Sequence, residues 1–145
     1  MAVSAKWYGL GLQSLANGEI DWDTHTIKVM LCTSSYTPNQ DTHRYKSDVT
    51  NEVTGTGYTA GGATLGSCTA SYNAGTNTLA LDAADTSWPN STITARYAVV
   101  YDASPGSDAT RALLGYVDFD QNISTTAGTF SIVWDAAGIL TISAA

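Results

Sequence analysis

The sequence predicts an all-β protein: an antiparallel β-sandwich, jelly-roll-like, with seven or eight strands and one short helix allowed near the N-terminus. Thr, Tyr, Trp, Val and Ile, which suit a pleated and half-buried surface, are abundant along the chain. Segments of alternating apolar and polar residues recur at regular intervals, with Gly, Asn or Pro between them. Short strands at such spacing are typical of β-sandwiches.

The size of the chain predicts a single domain. It has 145 residues, and 43% of them are hydrophobic, which is enough to build one core. No Pro-rich linker, charge run or internal repeat divides it. We therefore expect one β-sandwich domain over residues 1–145, with a long polar loop at 34–57.

The segment Ser4–Ala16 has helical spacing. Tyr8, Leu12 and Leu15 recur on one helix face, behind Ser4 as an N-terminal cap. The two glycines of this segment each weaken a helix by about 1 kcal/mol. Residues 17–18 are Asn-Gly, which tolerate positive φ and predict the end of the helix.

Eight segments have the pattern of a strand. In the first, Thr26–Thr33, both alternating rows are apolar enough to be buried, which predicts a central strand. The other seven are Tyr58–Leu65, Ser67–Tyr72, Thr78–Leu81, Thr92–Tyr101, Ala112–Phe119, Thr129–Trp134 and Ile139–Ser143. Turns with Gly or Asn are predicted at 73–77, 104–108, 126–128 and 137–138.

Acidic residues outnumber basic ones. Six Lys and Arg against thirteen Asp and Glu leave a net charge of -7, which disfavours nucleic acid and anionic membranes as partners. No apolar stretch is long enough to span a bilayer, and the N-terminal segment lacks the continuous apolar region of a signal peptide. We therefore expect cytoplasmic synthesis. There Cys32 and Cys68, whose separation matches no metal or redox motif, are predicted to be buried free thiols.

No constellation of residues predicts catalysis, so we expect no enzyme activity, no cofactor and no metal site. His25 and His43, the two histidines of the chain, are predicted to be exposed in a turn and in the polar loop. Residues 54–62 resemble a phosphate loop in glycine content alone, which indicates a conformational role. The carboxylates close enough in sequence to pair are predicted to lie on a solvated face or in a turn. They are Asp82, Asp85, Asp118 and Asp120.

Eight Tyr and four Trp leave a glycan-binding alternative open, because aromatic faces can stack on sugar rings. Packing explains the same residues. Along the strand that ends at Tyr101, Tyr97 and Tyr101 share one face of a sheet, and Trp22 and Trp134 suit the ends of a sandwich core. Each aromatic residue therefore favours a core position over a sugar platform.

The polar loop at 34–57 is the predicted partner-binding region. Loops of this length are uncommon in small domains and usually functional. Arg44 and Lys46 lie close together there, whereas Lys28, Arg96 and Arg111 are predicted to lie singly among or beside strands. Such side chains suit an acidic or aromatic neighbour. The predicted contact residues are Tyr36, Pro38, Asn39, His43, Arg44, Tyr45 and Lys46.

The sequence of the long loop is too particular to arise from β-propensity alone. Four segments, the first of which contains this loop, carry a resemblance to a known family. They are NGEIDWDTHTIKVMLCTSSYTPNQDTHRYKSDVTNEVTGTGYTAGGATL (17–65), ARYAVVYD (95–102), LLGYVDF (113–119) and WDAAGILTI (134–142). In these segments the chain resembles a family of small structural proteins of tailed bacteriophages, found near capsid genes. The resemblance extends over nearly the whole chain.

The resemblance implies a non-enzymatic virion protein that binds and stabilises the assembled capsid, as a decoration or cement protein. It implies the major capsid protein lattice or other virion proteins as partners, self-association in many copies, and location in the virion. The alternative is a module on a fibre or tail that recognises a host-surface glycan. Copy number separates the two, because a shell needs hundreds of copies and a tail tip needs few.

Overall fold

The computed structural model describes residues 2–144, which form an all-β fold with one short α-helix. The strands are β1 (Ala2–Val3), β2 (Lys6–Trp7), β3 (Ile27–Cys32), β4 (Ala63–Thr64), β5 (Thr69–Asn73), β6 (Thr78–Asp82), β7 (Thr86–Ser91), β8 (Thr94–Asp102), β9 (Leu113–Ser124), β10 (Gly128–Trp134) and β11 (Leu140–Ser143). The helix α1 is Gly9–Ala16, and a single turn of 3-10 helix covers Lys46–Asp48. Eight of these strands have four or more residues, in line with the predicted seven or eight. Met1 and Ala145 of the predicted domain lie outside the described residues.

Three sheets form a sandwich-like arrangement of layers. The largest has the order β2-β9-β8-β3-β4, and two smaller sheets have the orders β1-β10-β7 and β11-β6-β5. Within these sheets, every pair of neighbouring strands is antiparallel except the pair of the two-residue strand β1 with β10. The main core contains residues from all three sheets, among them Val29, Val100, Leu114, Leu81, Leu140, Trp88, Phe130 and Trp134.

The large sheet is buried on both faces at its centre. In β3, Ile27, Val29 and Leu31 belong to the main core, whereas Met30 and Cys32 belong to a second apolar cluster on the opposite face. The central strand predicted from two apolar rows is therefore confirmed.

The long loop covers this second cluster, which consists of Tyr8, Met30, Cys32, Tyr36, Val99, Tyr101 and Leu113. Single β-bridges fasten the loop at three places: Glu52 to β3, Tyr45 to Ala112, and Thr56 to Thr92. The apolar outer face of the large sheet needs a cover, and the polar loop supplies one through Tyr36 and Val49.

The helix begins later than predicted. Lys6–Trp7 pairs with β9 as a strand, so Ser4 is not the cap and the helix starts at Gly9. Its packed face is also different, because Leu12 is 39% exposed. Gly11 faces β9 so closely that a Cβ there would lie 2.5 Å from the carbonyl oxygen of Leu113. The predicted end is confirmed at residues 17–18, and among residues 2–144 no helix is long and apolar enough to cross a membrane.

The structure differs from the predicted strands at two places. Only Ala63–Thr64 of the predicted strand Tyr58–Leu65 is a strand, because Gly61 and Gly62 take positive φ just before it. Strand β7 was not predicted, since Pro89 interrupts its pattern. Proline is tolerated there because β7 lies at the edge of its sheet.

The predicted turns fall where expected, and one of them takes positive φ at a different residue. Positive φ occurs at Asn77 and Gly138, as predicted, but Ala127 takes it in place of Gly128. The turn at 73–77 connects β5 to β6, and the turn at 104–108 lies between β8 and β9, so each belongs to one hairpin. The other two join strands of different sheets.

Candidate functional site: the long loop and a cationic pocket

Tyr36 and His43 anchor the loop to the sheet. Tyr36 is only 1% exposed, and its hydroxyl lies 2.8 Å from that of Tyr8 and 2.9 Å from Nδ1 of His43. The His43 ring stacks on Tyr36 at 5.7 Å between centroids. Burial raises the pKa of Tyr36 to about 12. Tyr36 is therefore buried inside the protein. The sequence predicts an exposed His43, but in the structure His43 is half-buried against Tyr36.

The outermost part of the loop is a turn around Asn39. The side-chain oxygen of Asn39 accepts hydrogen bonds from the backbone N–H groups of Asp41 and Thr42. Pro38 beside it is half-buried, while Asn39 itself is exposed. The Gln40 side chain donates to the carbonyl of Trp7 at 2.8 Å, which fixes this turn against the N-terminal segment.

Arg44 and Tyr45 are engaged with Glu19. An Arg44 guanidinium nitrogen lies 2.7 Å from one carboxylate oxygen of Glu19, and the Tyr45 hydroxyl donates to the other at 3.4 Å. The Asp48 carboxylate accepts the backbone N–H groups of Arg44 and Tyr45, and these hydrogen bonds lower its pKa. The turn of 3-10 helix is thereby held in place.

Lys46 points away from this group into an open pocket of about 510 Å³. Its ammonium lies 3.0 Å from Asp108 and 5.7 Å from the centroid of the Tyr101 ring. Arg111 also binds Asp108, at 2.9 Å, and its Nε donates to the carbonyl of Pro105. The pocket is lined by Thr26, Lys28, Lys46, Ala60, Gly61, Tyr101, Ala103, Ser104, Asp108 and Arg111. We call it the cationic pocket.

The lining of the cationic pocket carries three positive charges and one negative charge, in a chain whose net charge is -7. Within residues 2–144, Lys28 has no carboxylate within 4.0 Å. The hydrogen bonds from Lys46 and Arg111 lower the pKa of Asp108. Behind the lining, the Glu52 carboxylate accepts hydrogen bonds from Gly61 N–H and the Tyr58 hydroxyl.

The expectation that Lys28 and Arg111 lie singly is therefore wrong. Register places Lys28 of β3 opposite Tyr101 of β8, and the β8-β9 connection returns Arg111 to the same pocket. The 3-10 turn brings Lys46 to it from the loop. No spacing in the sequence signals this convergence, because the three cations lie on separate elements.

Both cysteines and the ion pair of Asp118 with Arg96 lie outside the cationic pocket. Cys32 is buried and Cys68 half-buried, both as free thiols, so the predicted burial is complete only for Cys32. Burial raises the pKa of Cys32 to about 12. Asp118 binds Arg96 on the surface, at 2.6 Å. No cluster of three or more His, Cys, Asp or Glu residues suited to a metal ion occurs among residues 2–144.

The sequence predicts an exposed His25, but in the structure its Nδ1 contacts the buried carboxylate of Asp102.

Aromatic residues are mostly interior. Trp22, Trp88 and Trp134 are at most 5% exposed, whereas Tyr72 is 55% exposed. The predicted core positions of Trp22 and Trp134 are confirmed.

A scan against family models found no match to this chain, and searches of curated proteins and of solved structures found none either.

Proposed function

We propose that this chain is a non-enzymatic structural protein of a tailed-phage particle, which binds and stabilises the assembled capsid as a decoration or cement protein. The proposal starts from the resemblance of the sequence to phage structural proteins. The observation that supports it in the structure is the cationic pocket, which offers a binding surface of net positive charge on an acidic chain.

The cationic pocket suits an acidic group of a partner, such as an Asp or Glu side chain or a C-terminal carboxylate. Lys28 has no acidic partner of its own among residues 2–144, so its ammonium is free to bind one. Lys46 and Arg111 share Asp108, and an incoming carboxylate would add to this network. Hydrogen bonds between charged groups are stronger than neutral ones and give the contact direction.

The long loop contributes one residue to this pocket, Lys46, and holds it in a fixed position. Tyr36 holds one part of the loop in the second apolar cluster, and Asp48 holds the turn that carries Lys46. A preorganised surface loses little conformational entropy on binding. The loop therefore contributes to partner binding mainly through Lys46 and the exposed turn at Asn39, with Tyr36 acting from inside.

In this proposal the partner is the major capsid protein lattice or another virion protein, and the chain is present in many copies. Its location is the virion. A protein that binds the assembled lattice and not the separate subunits stabilises the lattice by mass action.

The distribution of aromatic residues gives the glycan-binding alternative less support. Tyr72 is the one aromatic residue among residues 2–144 with more than half of its surface exposed, and the others are half-buried or buried.

Copy number tests the proposal. Purified particles of the phage that encodes the chain are separated on a gel, and the band of this chain is compared with that of the major capsid protein. We expect hundreds of copies in each particle. A few copies would place the chain on a tail or fibre, and its absence from particles would overturn the proposal.

A further inference from the structure

The sheet β11-β6-β5 ends in an open edge. Within residues 2–144, β5 pairs with β6 alone, and all five residues of Thr69–Asn73 are exposed. Their pairing with β6 runs without a bulge. Every second backbone N–H and C=O group of such a strand faces outward, where another strand can pair with it.

The other outermost strands among the described residues are covered, interrupted by proline or very short. On the outer side of β11, Ala5 N–H donates to the Ile139 carbonyl at 2.7 Å, and the Trp7 indole donates to the Thr141 carbonyl at 2.9 Å. Strand β7 contains Pro89, which cannot donate a backbone hydrogen bond. Strands β1, β2 and β4 have two residues each.

Beyond β2, residues 117–124 of β9 also have no strand paired on their outer side, but this stretch carries Asp118 and Asp120, and Asp120 takes positive φ. Among the outermost strands of the three sheets, only β5 is both long and open.

The charge pattern identifies the occupant of this edge as a second copy of the chain. Residues 66–81, which contain all of β5 and most of β6, carry no Asp, Glu, Lys or Arg. Two copies with a net charge of -7 each repel one another over most of their surfaces. The neutral edge is where they can approach with least repulsion.

The side chains of β5 also fit their own copy. In antiparallel pairing about a two-fold axis at Ser71, Tyr72 of each copy lies opposite Ala70 of the other, so that a large ring covers a small side chain. Tyr72 already forms a cross-strand row with Leu79 and Ile142, both half-buried. Pairing would join the two rows into one apolar surface.

We propose that two copies of this chain associate by antiparallel pairing of their β5 edges. The inference gives a surface to the self-association in the proposed function and rests on that part of it, but not on capsid binding. Five residue pairs bury less than the roughly 800 Å² per partner of a typical stable interface. We therefore expect a weak dimer, which forms at high concentration or where copies are held side by side.

Sedimentation equilibrium of the full chain, at concentrations up to about millimolar and at low and high salt, tests this pairing. We expect a reversible dimer that strengthens with salt, because salt screens the repulsion between the acidic chains. Ser71→Lys places two cations opposite each other at the two-fold axis and should weaken the dimer at least about tenfold. Thr141→Lys is the matched control, since Thr141, Ala80 and Ser71 share one row of the sheet and β11 lies at its covered edge.

Circular dichroism establishes that both variants are folded. A wild-type chain that stays monomeric throughout the concentration range would overturn the inference, and so would a Ser71→Lys dimer as strong as that of Thr141→Lys. Failure of capsid binding is distinguishable from failure of this pairing by the effect of salt. Binding through the cationic pocket weakens as salt is raised, whereas the β5 dimer becomes stronger. A different partner strand at this edge would leave the pure chain monomeric.

Discussion

Nδ1 of His25 lies 2.5 Å from Oδ2 of Asp102, a carboxylate with no exposed surface at the end of β8. The other carboxylate oxygen accepts the backbone N–H of Ser104 at 3.0 Å. A buried carboxylate is costly unless hydrogen bonds compensate for lost water. The contact therefore ties the segment before β3 to the β8-β9 connection.

Removing His25 should destabilise the fold. We expect His25→Ala to lower the free energy of unfolding by about 1–3 kcal/mol, because Asp102 then keeps a buried oxygen without its partner. Chemical denaturation measures the loss. The same substitution in an Asp102→Asn background is the control and should cost less. A His25→Ala protein as stable as the wild type would show that the contact contributes nothing.

Alkaline titration should reveal the buried hydroxyls of the core. Burial raises the pKa of Tyr8, Tyr36, Tyr58 and Tyr101, to about 12 for Tyr36 and Tyr101. A pKa raised by folding stabilises the protein below the unfolded value near pH ~10, and this stability is lost as pH rises through the folded value. We expect a step in tyrosinate absorbance that coincides with unfolding, smaller in Tyr36→Phe. Ionisation of all eight tyrosines in a chain that keeps its native circular dichroism would contradict this.

Gly62 should not tolerate a side chain. Its φ is +82°, and a Cβ would collide with the carbonyl oxygen of Val29 on the neighbouring strand. We expect Gly62→Ala to cost at least about 3 kcal/mol of stability, from backbone strain together with displacement of β3. Gly18 is the control, because its φ is +79° but nothing lies within 4 Å of its Cβ position. Gly18→Ala should cost about 1 kcal/mol, and equal losses in thermal unfolding would refute the steric argument.

Local pattern was enough to predict the fold class and the longer strands. The two apolar rows of Ile27–Cys32 predict a strand buried on both faces, and burial on both faces follows directly from the period of two. The local spacing predicts a helix at Lys6–Trp7. These residues form a strand instead because they pair with β9, which lies more than a hundred positions away and leaves no signal in the local pattern. Strand β7 was missed because a proline is acceptable only at an edge, and the edge is a tertiary property.

The candidate site was predictable only in part. Lys46 was identified from the length and charge of its loop, but Lys28 and Arg111 were not. Lys28 reaches the pocket through the register of β3 against β8, and Arg111 through a hairpin connection. The alternation along β3 predicts that Lys28 and Ile27 lie on different faces of the sheet, but not which residues share the face of Lys28. The sequence predicts Tyr36 as a surface contact, but the structure buries it in the second apolar cluster. Sequence pattern does not indicate this cluster, because it forms only when the sheet is folded.

Binding of the purified chain to phage particles that lack it, followed as salt is raised, tests the central claim most directly. We expect saturable binding that salt weakens, and about tenfold weaker binding for Lys28→Gln, which removes the pocket cation that has no acidic partner among residues 2–144 but keeps a polar side chain one atom shorter. Lys6→Gln removes an exposed cation on β2, outside the pocket, and should bind like the wild type. No saturable binding of the wild-type chain, or equal salt dependence for Lys28→Gln and the wild type, would contradict the claim that this pocket holds the chain on the particle.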